Sequence, residues 1–128
     1  MNSIESFDLD RYMNLSGNAL WDYVYRRHET LALVQVEGIL GIIDSMDEAH
    51  LAGIIEKGCD MAPDGFALHF ARYIAHPSQS VRLTTSRFFR HVPTVTKEVF
   101  DAFQHYGKQC REEEIIADLL PILAKKIQ

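Results

Sequence analysis

The chain has 128 residues, 47% of them hydrophobic, and a formal net charge of −5. That length is enough for one domain with its own core, and that apolar share excludes a disordered chain. No run of about 18 apolar residues occurs, which argues against a membrane-spanning helix.

The acidic start, with Glu5, Asp8 and Asp10, lacks the basic-then-apolar layout of a secretory leader. Cys59 and Cys110 are two cysteines far apart in sequence, a usage that suits a reducing compartment better than a disulfide framework. The expected location is the cytoplasm. Residues 1–15 read as an irregular N-terminal arm whose Phe7, Leu9, Tyr12, Met13 and Leu15 tuck against the body. Ser16 then caps a helix running to about His28. Its Leu20, Trp21, Tyr23, Val24 and Tyr25 spread apolar surface over most of the circumference. Such a helix is either buried on two sides or offers Trp21 or Tyr25 as an anchor for a partner.

Residues 30–45 carry Leu33, Val36, Ile39, Leu40 and Ile43 at helical spacing. Gly38 and Gly41 each cost such a helix about 1 kcal/mol relative to Ala, so the expectation is that they admit a closely packed neighbour. Asp47 is placed to cap the next helix, with Glu48 in its first turn, where the helix dipole favours a negative charge. Gly58 reads as a left-handed stop residue.

Residues 65–75 put Phe66, Ala67, Phe70, Ala71 and Ile74 on one stripe and His69, Arg72, Tyr73 and His76 on the other. Pro77 closes that helix, and Ser78 or Ser80 caps the next. Across 76–92, Val81, Thr84, Thr85, Phe88, Phe89 and Val92 fall on one side. Arg82, Ser86, Arg87, Arg90 and His91 fall opposite, an arrangement that fits 100° per residue and not the two-residue period of a strand. Two helices joined by this Pro-Ser turn make a hairpin. In Pro77, Val81, Arg82, Phe88 and Phe89 the segment resembles the HEAT-repeat family, whose second helix opens on a Val-Arg pair after a Pro-containing turn. The family's usual turn aspartate is replaced by Ser78, Gln79 and Ser80. The resemblance spans about one repeat and implies stacked helical hairpins.

Thr94 or Thr96 opens a further helix that Gly107 ends. A last helix starts near Arg111, with Pro121 marking a kink or a new start after Asp118. The expected fold is all-α: one domain over 1–128, about seven short helices in stacked antiparallel hairpins, arranged as a short HEAT-like α-solenoid or an irregular bundle.

The sequence carries no glycine-rich phosphate loop, no Gly-x-Ser-x-Gly elbow and no His-Glu-x-x-His run. His69 and His76 share a helix face with Arg72, but neither a carboxylate nor a cysteine stands at zinc-ligand spacing in that hairpin. Capping accounts for Asp47 and Glu48 without a cation. Charge is the more informative signal. Residues 1–64 are strongly acidic, with Arg11, Arg26, Arg27 and Lys57 as their cations. Residues 65–96 hold Arg72, Arg82, Arg87 and Arg90 and no carboxylate. Four arginines on an acidic chain fall short of a nucleic-acid footprint, and pairing with the acidic half or with Glu112–Glu114 next door is the expected use of them.

In size, charge and class the chain resembles small acidic bacterial immunity proteins, which neutralise toxins delivered by contact-dependent or secretion-system rivals. That resemblance implies a non-enzymatic inhibitor that covers the basic active site of a cognate toxin, a nuclease, with an acidic surface. Asp22, Glu37, Asp44, Asp47 and Glu48 would supply charge, and Trp21 and Tyr25 the anchors. The alternative is a regulatory or scaffold subunit docking a larger assembly through Arg82, Arg87 and Arg90. Neither reading calls for a cofactor, a metal, nucleic acid or a membrane. An enzyme using His69 and His76 is the third reading.

Overall fold

The helix expected after Pro77 runs from Gln79 to His91 (α7) in a computed structural model that describes residues 6–128. Ser78 caps it, accepting from the Val81 N–H. Val81, Thr84, Thr85, Phe88, Phe89 and Val92 are all buried, as the spacing demands. The hydroxyls of Thr84 and Thr85 donate to the carbonyls of Ser80 and Val81 at 2.9 and 2.7 Å, so no polar atom of theirs is stranded in the core. The opposite face is not uniformly polar, because Arg82 and Ser86 are buried as well. Helix α7 packs against neighbours on more than one side.

Among the described residues the fold is all-α, with nine α-helices and two short 3-10 segments. Helices α1 (Leu9–Met13), α2 (Gly17–Tyr25) and α3 (Leu33–Leu40) lead to a 3-10 turn at Ile43–Ser45. Then come α4 (Glu48–Glu56), α5 (Gly58–Met61) and α6 (Pro63–Phe70). Helix α6 tightens into a second 3-10 segment, Ala71–Ala75, before α7. Helices α8 (Lys97–Gly107) and α9 (Glu113–Lys126) follow.

Helix α4 is the interior element. His50 through Ile55 are buried without a break, since α7 and α2 both pack on it. Asp47 caps it as expected, accepting from the His50 N–H at 2.9 Å. A row of aromatic rings runs through the core: Phe66 on Phe70 at 4.8 Å, then Phe70 on Phe88, Phe88 on Phe89 and Phe89 on Phe103, each at 5.0 Å. Each fully buried ring contributes roughly 1.5–3 kcal/mol of apolar burial.

Several local expectations need correction. The arm is not irregular throughout: Asp8 caps α1, and the buried Tyr12 donates to the His50 carbonyl while its hydroxyl lies over Gly53. Gly58 does not stop a helix. It opens α5, and a Cβ there would stand 2.8 Å from Phe70 and 2.9 Å from Phe88, so glycine is present to let two rings close on the backbone. Gly38 admits no neighbour, since a Cβ there would meet nothing within 4 Å, and at Gly41 only the backbone of its own helix is near. Tyr73 is buried rather than on a polar stripe, because the 3-10 winding of Ala71–Ala75 turns it inward.

Pro121 lies inside an uninterrupted α9. The acceptor it deprives of a helical partner is the carbonyl of Ala117, and both residues lie on the exposed side of the helix. Lys126 serves α7 rather than its own helix end, donating to the carbonyls of Phe89 at 3.2 Å and Arg90 at 2.6 Å.

Candidate protein-docking surface

The acids expected to meet a partner divide into two groups. Asp44, Asp47 and Glu48 are exposed but engaged inside the fold. Asp44 accepts from the Tyr73 hydroxyl, from His69 Nε2 at 3.0 Å and from Arg72 Nη1 at 3.4 Å. Burial raises its carboxyl, but the hydrogen bonds from Tyr73 and His69 and the charge of Arg72 outweigh that and hold it below the usual range. Glu48 accepts from the Ser78 hydroxyl. Both oxygens of Asp47 lie 2.8 Å from His50 Nδ1, while His50 Nε2 faces the carbonyls of Leu15 at 2.9 Å and Tyr12 at 3.2 Å. This buried imidazole ties the α1 region to α4. Hydrogen bonds from the His50 backbone and ring hold the Asp47 carboxyl low.

Asp22 on α2 and Glu37 on α3 form the second group. Both are exposed, and neither has an ion pair or hydrogen-bond partner among the described residues. Beside Asp22 in sequence, Trp21 is half-buried against the core, and Tyr25 stacks on it at 5.7 Å with 54% of its own surface exposed. An aromatic pair with one ring seated and the other open is the form of an interface anchor. The cations of the acidic half are largely withdrawn. Arg27 is buried with its guanidinium 4.5 Å from the Tyr23 ring, and Lys57 is buried and pairs with Asp60 at 2.9 Å. That leaves Arg11 and Arg26 as the exposed cations of residues 6–64. Each withdrawn cation has an acid beside it, Glu29 at 3.8 Å from Arg27 and Asp60 at 2.9 Å from Lys57.

The arginine face is dispersed. Arg82 turns inward, its Nε and Nη2 gripping both oxygens of Glu112 at 2.6 and 2.7 Å and its Nη1 donating to the carbonyls of His76 and Pro77. With its side chain only 6% exposed, it cannot reach a partner. Arg87 pairs with Glu56 at 3.0 Å, which leaves Arg90 as the exposed member without an acid.

One feature escaped the sequence reading altogether. Leu33 and Val34 are 71% and 74% exposed, and Ile42 and Leu68 join them at the surface. The signal was the composition of α3, LVQVEGIL, which is apolar on nearly every side. Such a helix is either enclosed by its own protein or covered by another. Here Val36 and Ile39 are buried against the fold and Leu40 partly so, while Leu33, Val34, Glu37 and Gly38 are exposed.

Two clefts open elsewhere among the described residues. One, of about 210 Å³, is lined by Glu56, Cys59, Asp60, Thr84, Arg87 and His91. Burial pushes the Cys59 thiol up to about 11, and it donates to the Phe88 carbonyl, so it stands protonated rather than as a nucleophile. The other, of about 230 Å³, lies between Asp64, Thr94, Thr96 and Gln128. Among the described residues no group of three or more His, Cys, Asp and Glu side chains could hold a metal ion, and no helix is long and apolar enough to cross a membrane.

Among the described residues the structure is thus all-helical, with Tyr25 exposed on α2 and Leu33 and Val34 exposed on α3. No protein-family model matches the chain, and comparison with curated proteins and with solved structures finds no match either.

Proposed function

We propose that the protein is a cytoplasmic, non-enzymatic binding module that neutralises a basic protein partner by covering it, in the manner of an immunity protein against a toxin nuclease. The observation that supports this reading most is the open Trp21–Tyr25 stack next to the unneutralised Asp22, with Glu37 on α3 equally without a charged partner among the described residues. Uncompensated surface charge speeds encounter with an oppositely charged partner, and a seated aromatic holds it once water is excluded. Asp44, Asp47 and Glu48 contribute to the field although their hydrogen bonds are spent within the fold. The scaffold alternative through the arginine face is weaker, because Arg82 is committed to Glu112 and Arg87 to Glu56.

Affinity capture from native cells at low and high salt tests the proposal. The expected partner is a basic protein whose capture falls steeply with salt and is lost on Asp22→Lys with Glu37→Lys. A captured partner that is acidic, or one whose binding survives that double reversal, refutes it.

A further inference from the structure

Leu33 and Val34 expose more of their side chains than any other large apolar residues among those described. They sit on a helix that is otherwise well anchored, with Val36 against the Gly65 backbone and the Ala32 N–H donating to Gln35 Oε1 at 2.8 Å. The outward arc of α3 reads Leu33, Val34, Glu37, Gly38 and Gly41, a single charge among apolar or absent side chains. Helix α6 lies beside α3 and continues the surface with Asp64 and Leu68, which share its outer face one turn apart. Just past α3, Ile42 is exposed and Asp44 follows. Taken together, these exposed apolar side chains on touching elements make a ledge that is open over Gly38. The exposed acids of the same elements are Glu37, Asp44 and Asp64, the last also facing the cleft with Thr94 and Gln128. Arg72, at its edge, is tied to Asp44.

Charge selects the occupant. A second copy of this chain would bring one acidic rim against another around a small apolar centre, and like charges facing each other across a desolvated contact are unfavourable. A partner with an apolar ridge flanked by lysine or arginine matches both the centre and the rim. A helix has the right form, because its i, i+4 and i+7 side chains make such a ridge and the gap over Gly38 accepts one of them. We infer that the α3–α6 ledge is the docking site for a basic amphipathic helix of a protein partner. This rests on the reading of a basic partner above and locates its principal contact on α3 rather than on the Trp21–Tyr25 stack.

Three synthetic helical peptides test it against isotope-labelled protein by amide chemical shifts. One carries a leucine stripe flanked by lysine, one the same stripe flanked by glutamate, and one the lysines with serine in place of leucine. The leucine–lysine peptide should shift the amides of Leu33–Leu40 and Leu68. Leu33→Ser with Val34→Ser should weaken its binding at least tenfold with the melting temperature unchanged, as both side chains are exposed. Equal binding of the serine–lysine peptide overturns the ledge, since charge alone would then suffice. Binding of the glutamate peptide at α3 overturns it as well, as does a wild-type dimer in sedimentation that the double serine variant abolishes. If the leucine–lysine peptide shifts only α2 around Asp22 and Tyr25, the ledge fails and the basic-partner reading stands. If neither cationic peptide binds anywhere, both fail.

Discussion

Gly58 and Gly38 should respond to alanine with opposite signs, because one is packed and the other faces open space. At Gly58 the new methyl would sit 2.8 Å from Phe70 and 2.9 Å from Phe88, inside contact distance of two rings that are themselves locked in the aromatic row. Overpacking of this kind costs about 1–3 kcal/mol, and the better helix propensity of alanine returns only part of it at the first turn of a short helix. The net expected loss for Gly58→Ala is about 1–2 kcal/mol. At Gly38, inside α3 with nothing within 4 Å, alanine should add about 1 kcal/mol. For a chain of this size each kcal/mol moves the melting temperature by roughly 3–4 °C, so thermal unfolding followed by circular dichroism resolves both changes. A double-mutant cycle isolates the cause: in a Phe88→Leu background, with one ring withdrawn, Gly58→Ala should cost less. If the loss at Gly58 is the same in both backgrounds, the ring-packing argument is wrong. If Gly38→Ala destabilises, α3 is not open at that position.

His50→Ala should cost about 1–3 kcal/mol in urea unfolding, because it removes the bonds to Leu15 and Tyr12 and leaves the Leu15 carbonyl without its partner, while the Tyr12 carbonyl keeps the Leu15 N–H. Amide exchange in α1 should accelerate with it, and an unchanged exchange rate there would show that the imidazole does not hold the N-terminal region. Acid should destabilise the protein in two stages. The His76 imidazole is held below its ordinary range by burial, and its Nδ1 accepts from the Ser78 N–H at 3.0 Å. A depressed histidine contributes stability above the unfolded value of about 6.5 and loses it as pH falls through the folded one. The carboxyls of Asp44, Asp47 and Glu112 are likewise held low, so their contribution is full above about pH 4 and disappears below it. Melting temperature measured from pH 8 to pH 3 should fall in both windows, the first fall disappearing in His76→Asn; a protein that grows more stable between pH 7 and pH 5 contradicts the assignment.

The all-α fold and the core face of α7 were legible because helical periodicity is local: Val81, Thr85, Phe88 and Val92 declare their side without knowledge of any neighbour. The cap at Asp47 was legible for the same reason, and the structure decides for Ser78 over Ser80 and Thr96 over Thr94, each cap bonding an N–H three residues on. What a glycine meets is not local, and the roles of Gly58 and Gly38 came out reversed. The pairing of Arg82 with Glu112 was legible from charge, but its burial was not, because a charge is buried only when its partner is held in place and Glu112 lies 30 residues away. Residues 9–13 give too short a helix to stand on propensity, and tertiary contacts through Tyr12 hold it. At the candidate surface the sequence showed the acids but not their engagement. Whether Asp44 is free or spent depends on His69, at the end of α6, and on Tyr73, which the following 3-10 segment brings round. Hydropathy identifies α3 as apolar, and only the arrangement of its neighbours shows which part of it is uncovered.

A hydrogen-exchange footprint of the protein bound to its captured partner tests the central claim most directly. The account predicts slowed exchange across α2 and α3, strongest from Leu33 to Leu40, with the Arg87–Arg90 end of α7 unchanged. Protection confined to that end of α7, with α2 and α3 as open as in the free protein, would contradict it.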